Sequence, residues 1–278
     1  MQQQSATAFT SDPKAARQEL ERRKAECYNR EEGTLNQQDD YNCPLCRNRG
    51  KTVELVMEDG EEKAKFFECR CMNVRRTIAR MQRSGRQDVI SKYTLNSFRV
   101  ENDFQRTLKE AAQGYLKAGT GWFFIGGQSG CGKSHIGTAI FRELLLAGKP
   151  CRYMAWREDV PRLKKLLHSE GDEYCAAVDQ FKQAQVLYID DLFKTGRENG
   201  GRFQRPTVAD INLAYEILNY RADRPKLRTI LSSECLLEQL IEIDEAIGGR
   251  IAELSTPYVF SISPDRTKNY RLRGMGTL

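Results

Sequence analysis

The sequence has little histidine and no long apolar run. Two of its 278 residues are histidines, and we expect both His135 and His168 to be structural or exposed rather than metal ligands. No apolar run approaches the ~18 residues that indicate a membrane span. The start, MQQQSATAFTSDPKAARQEL, lacks the apolar core of a secretory signal. These absences argue against membrane and secreted classes and predict a cytoplasmic protein with no membrane partner.

Cysteine is the residue type whose number needs an explanation, because the chain has nine. In a reducing compartment, clustered cysteines bind metal more often than they form disulfides. Five are scattered singly and fit small core or surface positions, namely Cys27, Cys131, Cys151, Cys175 and Cys235. The other four fall into two close pairs.

The two close pairs are Cys43 and Cys46 in NCPLCRNRG, and Cys69 and Cys71 in FFECRC. Four thiolates suit tetrahedral Zn²⁺ in a closed structural site that leaves no position for a catalytic water. If FFECRC is a strand, its two sulfurs lie on one face and can meet the same ion. A redox dithiol and an iron–sulfur centre are the alternatives.

The segments around these cysteines predict a small helix-and-hairpin domain. SDPKAARQELERRKAECYNREEG predicts a helix with Asp12 as N-cap and Pro13 at the first helical position. KTVELVM and AKFFECR predict two strands joined at an Asp59–Gly60 turn. Such a small hairpin needs a metal to hold it together.

Positive charge is concentrated in one short segment. Seven basic residues and one acidic residue between Met72 and Arg99 account for the whole net charge of +6. The seven are Arg75, Arg76, Arg80, Arg83, Arg86, Lys92 and Arg99. Such a block suits contact with nucleic-acid phosphates or an acidic partner, and a solvated linker is the alternative.

After Trp122 the pattern changes to short apolar runs separated by helical segments. The runs are WFFIGG, CRYMAW, VLYIDD, RTILSS and YVFSIS. Near-continuous apolar strands that alternate with helices predict an α/β fold, with a parallel sheet covered on both faces.

The first of these runs leads into a phosphate-binding loop, here called the P-loop. It matches G-x-x-x-x-G-K-[ST] and comprises Gly127, Gln128, Ser129, Gly130, Cys131, Gly132, Lys133 and Ser134. Glycines let backbone N–H groups surround phosphate oxygens, and the following helix directs its positive end at the same anion. We expect Lys133 to contact the β- and γ-phosphates and Ser134 to bind Mg²⁺.

Two carboxylates end the run VLYIDD. We expect Asp190 to hold Mg²⁺ through its water shell and Asp191 to position and polarise the attacking water. At the end of RTILSS, Ser232 or Ser233 lies beside them and could contact the γ-phosphate or that water. Either serine could equally bond its own backbone, although Ser233 is our candidate.

A last candidate is Arg250, which follows two glycines in IGGRIAEL, at an expected turn. An arginine on such a turn can reach the γ-phosphate held by a neighbouring subunit and stabilise transition-state charge. An ordinary surface arginine is the alternative.

Several of these motifs together resemble the DnaC/DnaI/IstB group of AAA+ ATPases. The similarity covers roughly residues 90–273 and includes YTLNSF, GCGKSHIGTAI, the Asp-Asp pair, IGGRI and NYRLR. It implies an AAA+ sheet order, ATP or ADP with Mg²⁺, and Arg250 as an arginine finger that acts in trans between assembled subunits. It also implies that Asp191 takes the usual glutamate role and that Arg271 senses nucleotide. Too few residues follow Gly127 for a C-terminal helical lid, which that group also lacks.

The resemblance and the cysteine pairs together predict an ATP-dependent helicase loader. Residues 1–80 form the helical and zinc-binding domain that grips a hexameric DnaB-type replicative helicase, residues 81–100 a basic linker, and residues 101–278 the AAA+ ATPase domain, which engages single-stranded DNA. The best DNA-contact candidates lie in WREDVPRLKKLL, where a plain surface helix is the alternative: Arg157, Arg162, Lys164 and Lys165.

Two other functions remain possible from sequence. One is an IstB-like transposition helper, although such proteins are not expected to have a zinc domain. The other is a zinc-dependent nucleic-acid-binding regulator whose P-loop only senses nucleotide. The role of Arg250 distinguishes this regulator from an assembled ATPase. An arginine finger acting in trans makes hydrolysis depend on assembly, which a monomeric sensor does not need.

Overall fold

The computed structural model describes residues 13–83, 91–167, 172–194, 205–265 and 269–270. The chain separates into two compact units, Met1–Arg75 and Arg76–Leu278. Among the described residues, no helix is long and apolar enough to cross a membrane. Three residues singled out from sequence, Asp12, His168 and Arg271, lie outside the described ranges.

The first unit is a helix packed on a two-stranded hairpin. Its elements are α1 (Pro13–Arg30), α2 (Asn36–Asp39), β1 (Lys51–Glu58), β2 (Glu61–Glu68) and the start of α3 (Cys71–Arg83). The strands are antiparallel and pair Val53 with Phe66. The side chain of Asn29 donates to the Val53 carbonyl over 2.8 Å and accepts from its N–H over 3.0 Å, so it fixes α1 against β1. The predicted hairpin is confirmed.

The turn of the hairpin follows from two residues with left-handed backbone. Asp59 has φ 54° and Gly60 has φ 76°. Positive φ at both central residues matches the right-handed twist of the strands, and Asp-Gly is a preferred pair there. The turn therefore closes where the sequence predicted it.

The second unit is a five-stranded parallel sheet in the order β4-β5-β6-β3-β7. Its strands are β3 (Trp122–Gly127), β4 (Cys151–Ala155), β5 (Val186–Leu192), β6 (Arg228–Ser233) and β7 (Val259–Ile262). Its helices are α4 (Asp103–Ala118), α5 (Lys133–Leu146), α6 (Trp156–Leu166), α7 (Glu173–Lys182), α8 (Val208–Ala222), α9 (Leu237–Ile243) and α10 (Glu245–Ser255). The predicted α/β fold with a parallel sheet flanked by helices is confirmed.

The core of this unit is the sheet itself. All six residues of β3 and all six of β6 are buried. Phe124 of β3 pairs with Leu231 of β6, which also pairs with Ile189 of β5. Parallel strands covered by helices on both faces need apolar side chains in both directions, which explains the unbroken apolar runs. All five strands end at one edge, and ligands of open α/β sheets bind outside that edge.

Two local expectations were wrong. Trp156 does not end a strand CRYMAW, because β4 stops at Ala155 and Trp156 is the first residue of α6. Arg250 is not on a turn but within α10. Of the two glycines before it, Gly248 serves packing, since its Cβ would lie 2.6 Å from the backbone nitrogen of Ile241 in α9, whereas a Cβ on Gly249 would meet nothing within 4 Å.

A buried arginine closes the other end of the sheet. Arg221 of α8 is fully buried, and burial lowers the pKa of its guanidinium to about 10. Its N–H groups donate to the Thr229 hydroxyl and to the carbonyls of Phe181, Lys182, Ala184 and Arg228. The planar fork of arginine can satisfy several carbonyls at once, so this side chain ties α7, α8 and β6 together.

Candidate nucleotide site and four-cysteine cluster

The P-loop connects the end of β3 to the start of α5. Gly127, Gly130 and Gly132 have φ values of 101°, 81° and 98°. A Cβ on Gly127 would lie 2.2 Å from the Ile262 carbonyl oxygen of β7. Both the left-handed backbone and this close approach require glycine, so the sequence determines the shape of the loop.

Lys133, the first residue of α5, lies inside the loop. Its Nζ donates to the carbonyls of Gly127 and Gln128, each over 2.7 Å. The side chain is buried, and this burial lowers the pKa of its ammonium group. The positive end of α5 is at the same place, so two sources of positive potential meet where a phosphate would bind.

A cleft of about 850 Å³ opens beside the P-loop, within the usual range for small-molecule sites of roughly 300–1,000 Å³. Its rim includes three aromatic rings, those of Tyr93, Phe98 and Tyr270. The rings of Phe98 and Tyr270 have centroids 6.3 Å apart. Both phosphate-binding backbone and flat apolar surfaces are therefore available in one cleft.

His135 fixes residues 93–98, the segment YTLNSF, against α5. Its Nε2 lies 3.0 Å from the Thr94 carbonyl, and its ring meets those of Tyr93 and Phe98 edge-on. Burial lowers the pKa of the imidazole. The structural role expected for His135 agrees with these contacts, which bring the aromatic rim to the P-loop.

Asp265 and Tyr270, near the end of the chain, also contact the P-loop. The side-chain amide of Gln128 donates to the Asp265 carbonyl over 2.9 Å, and the Tyr270 N–H donates to the Gly130 carbonyl over 2.9 Å. The Tyr270 hydroxyl donates to the Arg99 carbonyl over 2.7 Å. Tyr270 therefore joins the P-loop to the chain just after the segment YTLNSF. No local pattern in the sequence could show this contact.

Asp190 is the buried carboxylate at the end of β5. It accepts hydrogen bonds from the hydroxyls of Tyr153, Tyr188 and Ser232, over 2.9, 2.8 and 2.6 Å. We call these three groups the hydroxyl cluster. Ser232 therefore contacts the Asp pair, as one of the two serine alternatives predicted.

Ser233 makes different contacts. Its hydroxyl donates to the Leu192 carbonyl over 2.8 Å and accepts from the Cys235 N–H over 3.1 Å. These are backbone contacts at the end of a strand, the second alternative considered from sequence. A catalytic role for Ser233 stays a prediction, and Ser232 is the better placed of the two serines.

Asp191 lines the cleft, unlike its neighbour. Burial raises the pKa of its carboxyl, and the adjacent Asp190 raises it further. Lys194 opposes this shift: its Nζ lies 3.0 Å from an Asp191 oxygen and 2.9 Å from Glu234. Sequence reasoning missed Lys194 and Glu234, although Glu234 directly follows RTILSS at the same edge of the sheet.

The site offers suitable ligands for a hard cation. Ser134 lies on the cleft wall at the start of α5, and two carboxylates end β5. Magnesium prefers such oxygen ligands together with phosphate oxygens and waters. Ser134 therefore fits Mg²⁺ chemically, and the buried Asp190, which does not line the cleft, fits the role predicted from sequence, that of acting on the ion through its water shell.

Arg250 lies away from these groups in its own chain. Its guanidinium donates to the Ala246 carbonyl over 3.0 Å and lies 5.2 Å from the centroid of the Tyr215 ring. It is absent from the residues that line the cleft in the described part of the chain. If Arg250 contacts a γ-phosphate, that phosphate would have to be bound in the cleft of a second copy of the chain.

The four predicted cysteines meet in the first unit. The Sγ atoms of Cys43 and Cys69 are 3.8 Å apart, and those of Cys46 and Cys71 are 3.4 Å apart. All four ligand atoms lie within 4.8 Å of one another, and all four side chains are buried. Tetrahedral Zn²⁺ with Zn–S bonds of ~2.3 Å needs sulfurs roughly 3.8 Å apart. The cluster therefore fits a closed zinc site.

Charge also favours a cation at this cluster. Burial raises the pKa of the thiols of Cys69 and Cys71. At Cys46 burial acts in the same direction, but hydrogen bonds from the Gly50 N–H and the neighbouring thiols outweigh it and lower the pKa to about 7. Four buried thiolates close together would repel one another, and a bound divalent cation removes that penalty because its ligands are deprotonated. The four sulfurs therefore suit a metal ion in both geometry and charge.

One detail of the cysteine prediction was wrong. Cys69 follows the end of β2 and Cys71 begins α3, so these two cysteines do not share a strand face. The first pair lies in a turn where Arg47 and Asn48 have φ of 47° and 66°. The Gly50 N–H at its end donates to the Cys46 sulfur over 3.3 Å.

Part of the basic segment supports the fold rather than facing a partner. Arg75 is buried, and its guanidinium donates to the carboxylate of Asp39 and the carbonyl of Tyr41. In the second unit, Arg80 pairs with the buried Asp159 over 2.5 Å. Arg86 lies outside the described residues. The charge excess is therefore partly structural, which neither alternative considered from sequence had included.

Comparisons with known proteins agree with this geometry. No protein-family profile matches the chain. The phage-like element PBSX protein XkdC of Bacillus subtilis (strain 168) is 32% identical over 251 residues, which cover 84% of this chain and 88% of that protein. The replicative helicase loader DnaC of Escherichia coli (strain K12) is 27% identical over 147 residues, covering 52% of this chain and 58% of DnaC.

Among solved structures, the replication initiator DnaA bound to AMPPCP and single-stranded DNA has a similar fold. The TM-score is 0.51 at 21% identity, and the match covers 63% of this chain and 51% of that chain. At this identity the likeness concerns the fold alone.

Proposed function

Because the chain belongs to the DnaC/DnaI-like group of AAA+ ATPases, we propose that it loads a hexameric replicative helicase onto single-stranded DNA in an ATP-dependent step. The observation that carries this proposal is the presence of a P-loop cleft and a closed four-thiol cluster in separate units of one chain. The IstB-like transposition helpers are not expected to have such a cluster. We assign residues 1–80 to helicase binding, residues 101–278 to ATP and DNA, and residues 81–100 to a basic linker whose YTLNSF segment also borders the ATP cleft.

In this proposal ATP binds with its phosphates in the P-loop. Lys133 and the N–H groups at the start of α5 neutralise the β- and γ-phosphates. Ser134 would bind Mg²⁺ directly and Asp190 through its water shell, and the ion would supply positive charge to offset the negative charge on the phosphates. Asp191 lines the cleft and would orient the attacking water, in a position whose charge Lys194 balances.

The aromatic rim suits the base of the nucleotide. Tyr93, Phe98 and Tyr270 border the cleft beside the P-loop. An adenine ring gains from stacking on aromatic side chains and from leaving water. We assign these three residues to adenine binding, because they are the flat apolar surfaces within reach of the phosphate site.

Part of α6 is available for the phosphates of single-stranded DNA. Arg157, Arg162 and Lys165 are exposed, and Arg162 has 73% of its side chain accessible. Lys164 instead pairs with Asp210 over 2.6 Å. We therefore assign the DNA contact to the three exposed residues, with Lys164 supporting the fold.

Arg250 is assigned as a finger that acts in trans between assembled copies. We expect the ATPase rate per chain to rise with protein concentration, and Arg250→Ala to remove this rise while leaving nucleotide affinity unchanged. The matched control is Arg224→Ala, another arginine over a tyrosine ring, 3.7 Å from the centroid of Tyr220. A concentration-dependent rate that survives Arg250→Ala would leave a monomeric nucleotide sensor as the better description.

The proposal as a whole is tested by complex formation with the replicative helicase of the host. We expect the zinc-loaded chain and the helicase to elute together in size-exclusion chromatography. Absence of a joint peak at micromolar concentrations, with each protein folded, would count against a loader. In that case, co-elution with a transposase would favour the transposition helper.

A further inference from the structure

Three hydroxyl groups from three neighbouring strands converge on one carboxylate. Tyr153 on β4, Tyr188 on β5 and Ser232 on β6 each donate to Asp190, and their side chains are at most 1% exposed. Tyr188 and Ser232 donate to Oδ1, and Tyr153 donates to Oδ2. Because both oxygens are held from different strands, the plane of the carboxylate cannot turn without breaking buried bonds.

The helix of the P-loop makes room for one of these hydroxyls. A Cβ on Gly137 of α5 would lie 2.7 Å from the Tyr188 hydroxyl and 2.9 Å from the ring carbon that bears it. The ring is fully buried and cannot move aside easily. Glycine at position 137 therefore leaves the space that the phenol occupies.

We propose that Tyr188 and Tyr153 are positioning residues for the magnesium of a bound nucleotide, and that Gly137 is their steric partner. The inference rests on the proposed Mg²⁺–ATP site, in which Asp190 would hold the ion through its water shell. Hydrogen bonds from hydroxyls to a carboxylate are strong and directional. Partners that orient a metal-binding carboxylate commonly contribute ~10–100-fold to metal affinity or activity.

The test is a Mg²⁺ titration of the full chain with a fluorescent ATP analogue, followed by binding rather than by turnover. We expect Tyr188→Phe to raise the Mg²⁺ concentration at half-saturation by about 10-fold or more. Affinity for the analogue without Mg²⁺ should stay within about twofold, since the P-loop is unchanged. Tyr153→Phe, on the other carboxylate oxygen, should act in the same direction.

Tyr115→Phe is the matched control. Tyr115 is also a fully buried tyrosine of this unit, and its hydroxyl donates to the Gly121 carbonyl over 3.1 Å. Its replacement removes the same atom without touching Asp190. Mg²⁺ dependence in this variant should match that of the unmodified chain, even if the melting temperature falls.

The substitution Gly137→Ala tests the same inference independently. The added methyl should displace the Tyr188 hydroxyl and raise the Mg²⁺ requirement as Tyr188→Phe does. Combined with Tyr188→Phe it should lower the melting temperature further, because the methyl still meets the ring. It should add nothing to the Mg²⁺ shift, since the hydroxyl is already gone.

The outcomes separate this inference from the proposed function. If the unmodified chain binds the analogue without any Mg²⁺ dependence, the proposed nucleotide site itself is wrong. If that dependence is present but neither folded tyrosine variant alters it, the hydroxyls only stabilise the fold and the inference is overturned. An additive Mg²⁺ shift in the Gly137→Ala, Tyr188→Phe double variant would also overturn the assigned pairing.

Discussion

Replacing Lys133 with alanine is expected to lower the ATPase rate by about 1,000-fold, the upper end of the cost of removing one preorganised donor. Lys133 is the one charged side chain of the P-loop, and in the proposed site it would supply a full positive charge to the phosphates. Its ammonium is already held at the loop by the carbonyls of Gly127 and Gln128. Its loss therefore removes both the charge and a contact that shapes the loop.

The measurement is phosphate release at saturating ATP, together with binding of a fluorescent nucleotide. Lys149→Ala is the matched control, because Lys149 is an exposed lysine just beyond the end of α5. It should hydrolyse ATP at the unmodified rate. A Lys133→Ala protein that is folded and hydrolyses ATP normally would show that the cleft is not the catalytic site.

Loss of the four-cysteine cluster should have the second large effect. Structural zinc sites contribute apparent binding free energies of about 10–16 kcal/mol at neutral pH, and that binding is coupled to folding. Cys43→Ser or Cys69→Ser should therefore abolish stoichiometric zinc and unfold the hairpin of the first unit. Nucleotide binding should persist, because its residues belong to the second unit.

Atomic spectroscopy measures the loss of zinc. Protease sensitivity of residues 13–75 measures the unfolding of the hairpin. Cys27→Ser is the control, since Cys27 is exposed on α1 and is not one of the four clustered cysteines. It should keep zinc and resist protease. Full zinc content in either cluster variant would contradict the ligand assignment, and stoichiometric iron in the unmodified protein would identify an iron–sulfur centre instead.

Features governed by local pattern could be predicted from sequence. The P-loop follows from glycines whose φ values are positive, and the hairpin follows from an Asp-Gly turn. The apolar runs predicted the parallel sheet, because strands buried on both faces must be apolar throughout. The cysteine set also followed from spacing, although the local structure of Cys69 and Cys71 did not.

Features that depend on which side chains meet across the sheet could not be predicted. The hydroxyl cluster needs β4, β5 and β6 to be neighbours in a register that places Tyr153 and Ser232 beside Asp190. The pair of Lys194 with Glu234 depends on the irregular end of β5, where Asp191 has φ 61°. No periodicity in one segment contains that information.

Arg250 shows how a local signal can mislead. Two glycines before it suggested a turn, but helix α10 begins with Asp244 as N-cap, whose side chain accepts from the Ile247 N–H over 2.8 Å. Gly248 is needed because α9 approaches closely. Glycine marks close packing as well as turns, and only the contact between the two helices distinguishes the cases.

The most direct test of the account is delivery of the host's helicase to a closed circle of single-stranded DNA, which has no end for a ring to thread. The helicase, the chain and ATP are mixed with immobilised circles, and helicase retained after a high-salt wash is measured. We expect retention only with the unmodified chain and ATP, and none with Lys133→Ala. Two results would contradict a loader. One is equal retention of helicase on the circle without the chain; the other is a chain–helicase complex that, with ATP present, leaves no helicase on the circle.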